Sequence, residues 1–326
     1  MSATASPAER GALRRFSREC TTLFFDPSAA PLAEVASGER FVMETADSLC
    51  GLAKAHAPRG MHIEEAVRRA GGACPLTGPL YVTGARAGEA LEVAVHRVDP
   101  WPAEGEAWTG VFGGFGALGH ERYSLAADIE PEIRVVPYAD GIARFPCRGG
   151  HVEVPLRPFL GTVGVAPRWE RRMTFSQSPE YLGDVDVPAL SAGATLVLPV
   201  NVDGALLAFG DVHGAQGAGE ITGAALEIEA EAEVTVTALQ RDEARYVALP
   251  QINTEEAIGS VAGYEGVTLA DCARAAYVDL IARLERFHGY RRHEAYELLS
   301  AVGRLDVGNM IDPFYSVLAS VERRYL

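Results

Sequence analysis

The stretch AALEIEAEAEVTVTAL, residues 224–239, decides the fold. Glu227, Glu229, Glu231 and Glu233 alternate with Ile228, Ala230, Ala232 and Val234. A period of two marks a β-strand, whose successive side chains point to opposite faces. All four acids then share one face, which reads as a solvated sheet surface, because a flat ladder of carboxylates does not converge on a metal ion. Elsewhere one phrase recurs three times. VASGERFVMET (35–45), ARAGEALEVAV (85–95) and LSAGATLVLPV (190–200) are each a glycine turn followed by an apolar or β-branched run, the pattern of a turn entering a strand. Their unequal spacing excludes a solenoid. Further strands are predicted at 133–137, 151–155 and 161–166.

Helices come late. Leu269, Cys272, Ala276, Leu280, Leu284 and Phe287 form one helical stripe, opened by a capping pair of Thr268 and Asp271 and closed near Gly289. A second helix fits 291–302, ending at Gly303, and a short one fits about 62–70, ahead of Gly71-Gly72. Strands dominate up to about residue 250 and helices follow. The fold class is therefore mainly β (α+β), with β-sandwich-like sheets and a helical C-terminal segment. Residues 1–20, polar and basic, read as a flexible N-terminus. Residues 21–175 read as a β-rich N-terminal half and 176–326 as a β-rich catalytic half carrying the helices, in one continuous globular unit without a low-complexity linker.

The 326 residues carry a net charge of −15, which argues against nucleic acid and against an anionic membrane surface as partners. Five widely spaced cysteines without a C-x-x-C pair fit a reducing compartment rather than a disulfide framework. No apolar run approaches the roughly 20 residues of a membrane span, and the first residues lack the apolar core of a signal peptide. A cytoplasmic protein is expected. The late apolar helices point to a homodimer.

Chemistry concentrates in LLAFGDVHGAQGAGEITG, residues 206–223. Asp211 and His213 lie two apart on an apolar strand, so they share a face. Gly214, Gly217 and Gly219 let the following backbone turn back and bring Glu220 beside them. An Asp/His/Glu trio suits a divalent cation with oxygen and nitrogen ligands, and equally suits general acid–base work. In PEYLGDVDVPAL (179–190), Asp184 and Asp186 are again two apart, and paired like charges need a cation or hydrogen bonds to compensate them. Asp47 closes the first turn-and-strand phrase. If the three phrases are equivalent, Asp47 joins the later acids at one end of the sheets.

Lys54 is the sole lysine. Catalysis by a Ser–Ser–Lys or Cys–Glu–Lys triad is therefore disfavoured, and no G-x-S-x-G elbow is present. GVFGGFGALGH (110–120) is not a phosphate loop, since no lysine follows, and reads as a tight loop lining a pocket. His120 at its end reads as a surface residue, and Trp101 and Trp108 as packing residues.

TGPLYVTGARAGEALEVAVHRVDP (77–100), FLGTVGVAP (159–167), LGDVDVPALSAGATLVLPV (182–200) and GALLAFGDVHGAQGAGEITGAALE (204–227) together resemble the acetamidase/formamidase family. The resemblance runs in order from about residue 35 to about 240. It implies sandwich-like sheets and hydrolysis of a small carboxylic amide to a carboxylate and ammonia, at a site of acids and histidine that bind metal. Asp47, Asp184, Asp186, Asp211, His213 and Glu220 fall on the family's polar positions. Asp47, Asp186, Asp211 and His213 are then the expected ligands of a divalent metal, zinc first, with calcium or manganese as alternatives. His213 and Glu220 are also expected catalytic residues, Glu220 as general acid–base, and Asp184 either binds the metal or supports the site. The expected chemistry is attack of a metal-activated water on the amide carbonyl. Three departures bear on the substrate. Asp184 stands where the family usually has asparagine, Val187-Pro188 follow the second acid, and the family's V-D-P survives only as Ile311-Asp312-Pro313. They leave two rivals open. One is a metal-assisted hydrolase or lyase of a larger or cyclic C–N substrate on the same scaffold. The other is a non-enzymatic ligand-binding member.

Overall fold

The computed structural model describes residues 13–56, 63–118, 129–240, 248–311 and 313–326. His62, His120 and Asp312 lie outside them, as do residues 1–12 of the expected flexible terminus. The architecture is mainly β, with two large sheets. The nine-stranded sheet runs in the order Arg14–Phe16, Arg40–Thr45, Ala230–Leu239, Ala90–Pro100, Thr195–Pro199, Gln251–Asn253, Ala257–Glu265, Phe314–Glu322, Arg304–Ile311. The centre of the twelve-stranded sheet is Gly105–Val111, Leu226–Ile228, Leu207–Ala215, Phe159–Gly164 and Leu182–Asp184, in that order. Both sheets interleave strands from either side of residue 175. Phe41, Met43, Leu91 and Val93 of the first sheet share one core with Leu160, Val163, Leu207 and Phe209 of the second. Phe159–Gly164 is buried along its whole length, as expected of a strand covered on both faces.

The helices fall where their stripes put them. Leu269–Phe287 starts at a Thr268/Asp271 capping box and buries Cys272, Ala276, Leu280 and Leu284 in a cluster with Ile258, Val317 and Ala319 of the nine-stranded sheet. Arg292–Val302 ends at Gly303, and Ile63–Ala70 precedes Gly71. Among the described residues, no helix is long and apolar enough to cross a membrane.

Three expectations need correcting. First, residues 224–239 are not one strand. Leu226–Ile228 belongs to the twelve-stranded sheet and Ala230–Leu239 to the nine-stranded one, so the chain changes sheets at Glu229. The acid face is not solvated either, since Glu227 and Glu233 are only 2% and 1% exposed. Arg40 Nε donates to Glu233 at 2.7 Å, Arg15 pairs with Glu231, and Arg18 and Lys54 each reach Glu229 at 2.8 Å. Second, part of the N-terminal stretch is ordered into the fold, because Arg14–Phe16 pairs in parallel with Phe41–Met43. Third, strands follow the two C-terminal helices. Arg304–Ile311 and Phe314–Glu322 return as a hairpin that extends the nine-stranded sheet. Gly308 and Asn309 interrupt its alternation, and the register shifts between Val307 and Met310.

Candidate active site

Three neighbouring strands of the twelve-stranded sheet frame the acids. Leu207–Ala215 bears Asp211 and His213, while Phe159–Gly164 pairs with it on one side and Leu182–Asp184 follows. Asp186, Asp211 and Glu220 all have left-handed backbones, with φ of 48°, 52° and 43°. A side-chain-bearing residue in that region costs about 1–3 kcal/mol, a strain that concentrates at functional sites. Gly161 makes the convergence possible. A Cβ there would lie 2.7 Å from Asp186 Oδ1 and from Asp211 O, and 3.1 Å from His213 Cε1. The glycine turn carrying Glu220 is pinned to the C-terminal hairpin, because Gly219 N–H donates to Val307 O at 2.9 Å and Gly219 O accepts from Met310 N–H at 3.0 Å.

His213 is the hub. Gln216 Nε2 donates to the carbonyls of Asp186 and Gly308, at 2.8 and 2.9 Å, which fixes which end of its amide is oxygen. That oxygen lies 2.7 Å from His213 Nδ1, so Nδ1 carries the proton and donates. Phe159 packs edge-on against the imidazole with centroids 5.1 Å apart. Nε2 then faces four carboxylates: Glu227 at 3.5 Å, Asp211 at 3.7 Å, Asp186 at 3.8 Å and Glu220 at 3.9 Å. These distances are long for hydrogen bonds.

The remaining oxygens are held. Asn309 Nδ2 donates to Asp186 Oδ2 at 3.0 Å, while its own carbonyl accepts from Ile311 N–H. Ser48 Oγ donates to Glu227 Oε2 at 2.8 Å, and Ala225 N–H to Oε1 at 2.9 Å. Thr162 Oγ1 lies 2.6 Å from Asp184 Oδ1 and 2.9 Å from Asp211 Oδ2. One hydroxyl has one proton to give, so one of those two carboxyls must be protonated. Among the described residues no hydrogen bond reaches the Glu220 carboxyl, and Asp186 Oδ1 and Asp211 Oδ1 are buried without a partner.

Electrostatics sorts these groups. Burial lifts Asp184 well above the ordinary carboxylate value, aided by the charges of Asp186 and Asp211, so Asp184 is the one that holds its proton beside Thr162. Burial likewise raises Glu220 well above its usual value, Glu227 to about 8, and Asp186 to about 6 against the pull of His213. Burial also opposes charge on Asp211, but His213 and Thr162 hold it below the usual range. Burial disfavours a charged imidazole, yet Glu227, Asp211 and Glu220 override it and lift His213 well above its ordinary value.

Two orphaned buried oxygens beside an imidazole nitrogen fit a cation, which would take the place of the Nε2 proton. Asp186, Asp211 and His213 form one set whose donor atoms lie within 4.8 Å of one another; His213, Glu220 and Glu227 form a second, and Cys74, Asp184 and Asp211 a third. Oxygen and imidazole donors of this kind suit a borderline divalent ion.

The structure does not bring Asp47 to this cluster. Its Oδ1 accepts from Leu49 and Gly51 N–H, at 3.1 and 2.9 Å, and its Oδ2 lies 3.3 Å from Lys54 Nζ. It caps a turn, and the chain's sole lysine neutralises it. Glu227, Asn309, Thr162, Ser48 and Cys74 enter the site without having been singled out from the sequence. Glu227 sat in the alternating stretch that decides the fold, and only the change of sheets at Glu229 separates it from the solvated ladder that stretch implied. Glu227, Asn309, Ser48 and Cys74, with Asp184, Asp186, Asp211, His213 and Glu220, line a cavity of about 440 Å³. Trp108, expected only to pack, lines it too, whereas Trp101 is half exposed. Phe112 and Phe115 of the glycine-rich loop also face it.

A putative formamidase of Schizosaccharomyces pombe is 28% identical to this chain over 202 residues, which are 45% of the chain and 47% of that protein. The chain thus spans about half the length of the curated relative it matches. Among solved structures, an acetamidase from Bacillus halodurans is 29% identical, with a TM-score of 0.82 over 95% of this chain and 98% of its own. A predicted acetamidase/formamidase from Thermoanaerobacter tengcongensis shares the fold, at 22% identity and a TM-score of 0.83 over 96% of each chain. The Acetamidase/Formamidase family model matches residues 18–180 and 171–313, nearly the whole of the described chain, and the chain belongs to that family.

Proposed function

We propose that the chain is a metal-dependent amidase that hydrolyses a carboxylic amide to a carboxylate and ammonia. The observation that carries this reading is the ring of four carboxylates around His213 Nε2, two of them with buried oxygens that no described residue satisfies. Asp186, Asp211 and His213 would hold a divalent cation, with Glu227 and Glu220 beside them; zinc suits the donor set best. A cation there supplies Lewis acidity, polarising the amide carbonyl and making a water more acidic.

The chain's own groups do the rest. Gln216 fixes the His213 tautomer, and Asn309 turns Asp186 so that Oδ1 faces the site. Asp184, protonated, lets the Thr162 hydroxyl donate to Asp211 and hold it anionic. Glu220 is the general acid–base. Among the described residues nothing donates a hydrogen bond to its carboxyl, and its raised pKa lets it take the water's proton and deliver it to the departing nitrogen. Family membership and the Bacillus halodurans acetamidase support the reaction class.

The test combines metal analysis with turnover. Protein purified without chelator should carry near-stoichiometric transition metal and release ammonia from amides. Asp211→Asn/His213→Ala should lose the metal, Asp47→Asn should keep it, and Glu220→Gln should keep it while losing about 100-fold or more in kcat. A metal-replete Glu220→Gln variant with full turnover would remove Glu220 from its role. A wild-type protein that neither contains nor binds metal would end the metal-dependent reading.

A further inference from the structure

The cavity is far larger than a formamide- or acetamide-sized substrate needs. Its volume is about 440 Å³. Acetamide has roughly the bulk of three waters, at ~30 Å³ each, and would occupy about a fifth of that space. The acids form one part of the lining, and the other part is apolar and aromatic: Trp108, Phe112, Phe115, Phe175, Ile311 and Phe314. The aromatic rings are organised. Trp108 and Phe112 meet edge-to-face with centroids 6.3 Å apart, and Phe175 and Phe314 do so at 6.4 Å. Gly223 makes room for the Phe115 ring, since a Cβ there would lie 2.2 Å from Phe115 Cε1. Ala117 N–H donates to Ile221 O at 2.9 Å, which ties this loop to the segment carrying Glu220 and Glu227. The apolar wall is therefore built onto the acid cluster.

Resting on the amidase reading, we propose that the substrate is a primary carboxamide whose acyl group carries an aromatic or similarly bulky apolar substituent. The acyl side is favoured because the departing nitrogen must stay near Glu220, among the acids. A substituent on nitrogen would bring apolar bulk into the polar cluster, whereas one on the acyl carbon is free to lie against the rings. Water filling that half of the cavity would face hydrocarbon on several sides, and displacing it favours an apolar group. Exposed Glu64 and Arg68 both line the cavity, so neither sign of charge is selected.

The experiment uses the full-length, metal-replete protein with acetamide, butyramide, 2-phenylacetamide and 3-phenylpropanamide. Ammonia release gives kcat/KM, and calorimetry gives the binding of each amide. The expected result is a rise of about fourfold per buried methylene, and on the order of 100-fold from acetamide to phenylacetamide. Phe112→Ala should remove most of that gain while leaving acetamide turnover within about twofold. Phe314→Ala, at a half-buried position, serves if the first variant does not fold. Turnover of acetamide with no gain from the phenyl group, or equal losses on both substrates in the variants, overturns the substrate inference and leaves amide hydrolysis standing. Absence of turnover with phenylacetamide still bound, and bound more weakly by the Phe variants, supports the apolar subsite and overturns hydrolysis. Neither binding nor turnover overturns both.

Discussion

Replacing Gly161 with alanine puts one methyl group where three parts of the site meet. The added Cβ would stand 2.7 Å from Asp186 Oδ1, 2.7 Å from the carbonyl oxygen of Asp211 and 3.1 Å from His213 Cε1. Asp186 could swing its carboxylate away, but the Asp211 carbonyl is backbone in a central strand, and His213 is held between Gln216 and Phe159. Overpacking a rigid site costs about 1–3 kcal/mol. In a chain of this size, about 2 °C of Tm accompanies each kcal/mol, so Tm should fall by about 2–6 °C. Activity should suffer more than stability, because the two groups that must yield are proposed ligands, and a misplacement of about 1 Å can cost about 100-fold. Gly150→Ala is the control: no atom lies within 4 Å of a Cβ there, and the site should not notice it. Calorimetry, metal content and kcat/KM would be measured on both variants. A Gly161→Ala protein with wild-type Tm, full metal and undiminished turnover would refute the close approach on which the site's geometry depends.

Two further predictions concern protons and orientation. In the cation-free protein, burial raises Asp186 from 3.8 to about 6 and Glu227 from 4.5 to about 8. The folded chain then binds more protons than the unfolded one across that window, and stability falls as pH rises from about 4 to about 8. Cation binding at pH 7 should release at least one proton, and Glu227→Gln should reduce that release. Titration calorimetry in buffers of different ionisation enthalpy measures this, and proton-neutral binding would contradict the assignment. Gln216→Leu removes the acceptor for His213 Nδ1–H and the donors to two carbonyls, so metal affinity should drop about 10- to 100-fold in chelator competition. Unchanged affinity would show that the tautomer is fixed by something else.

The legible parts of this molecule were those encoded within a few residues. The Thr268 box and the Cys272–Leu284 stripe specify their helix locally. Asp211, His213 and Glu220 lie within one short segment whose glycines predict its reversal. Asp47 misled because its place at the end of a strand phrase resembles that of the other acids, while the two N–H groups that claim it follow in its own turn. Glu227 was hidden by the periodicity that revealed the fold: alternation says which residues share a face, but not where a chain leaves one sheet for another. Asn309 carries no local sign at all. It sits in a break of alternation beside Gly308, where a Cβ would stand 2.2 Å from Val185 O, and that constraint exists only once the distant segment is in place.

The bond from Asn309 to Asp186 spans 123 residues of chain, and the same hairpin pins the turn that carries Glu220. Synthesis at about 5–20 residues per second leaves a gap of roughly 6–25 s between the two partners. Throughout that interval the nascent chain can hold most of its acids without their last orienting groups. The centre is thus assembled by strands that emerge well after the acids they orient, and its competence reports that the hairpin of Arg304–Ile311 and Phe314–Glu322 has been made and has docked.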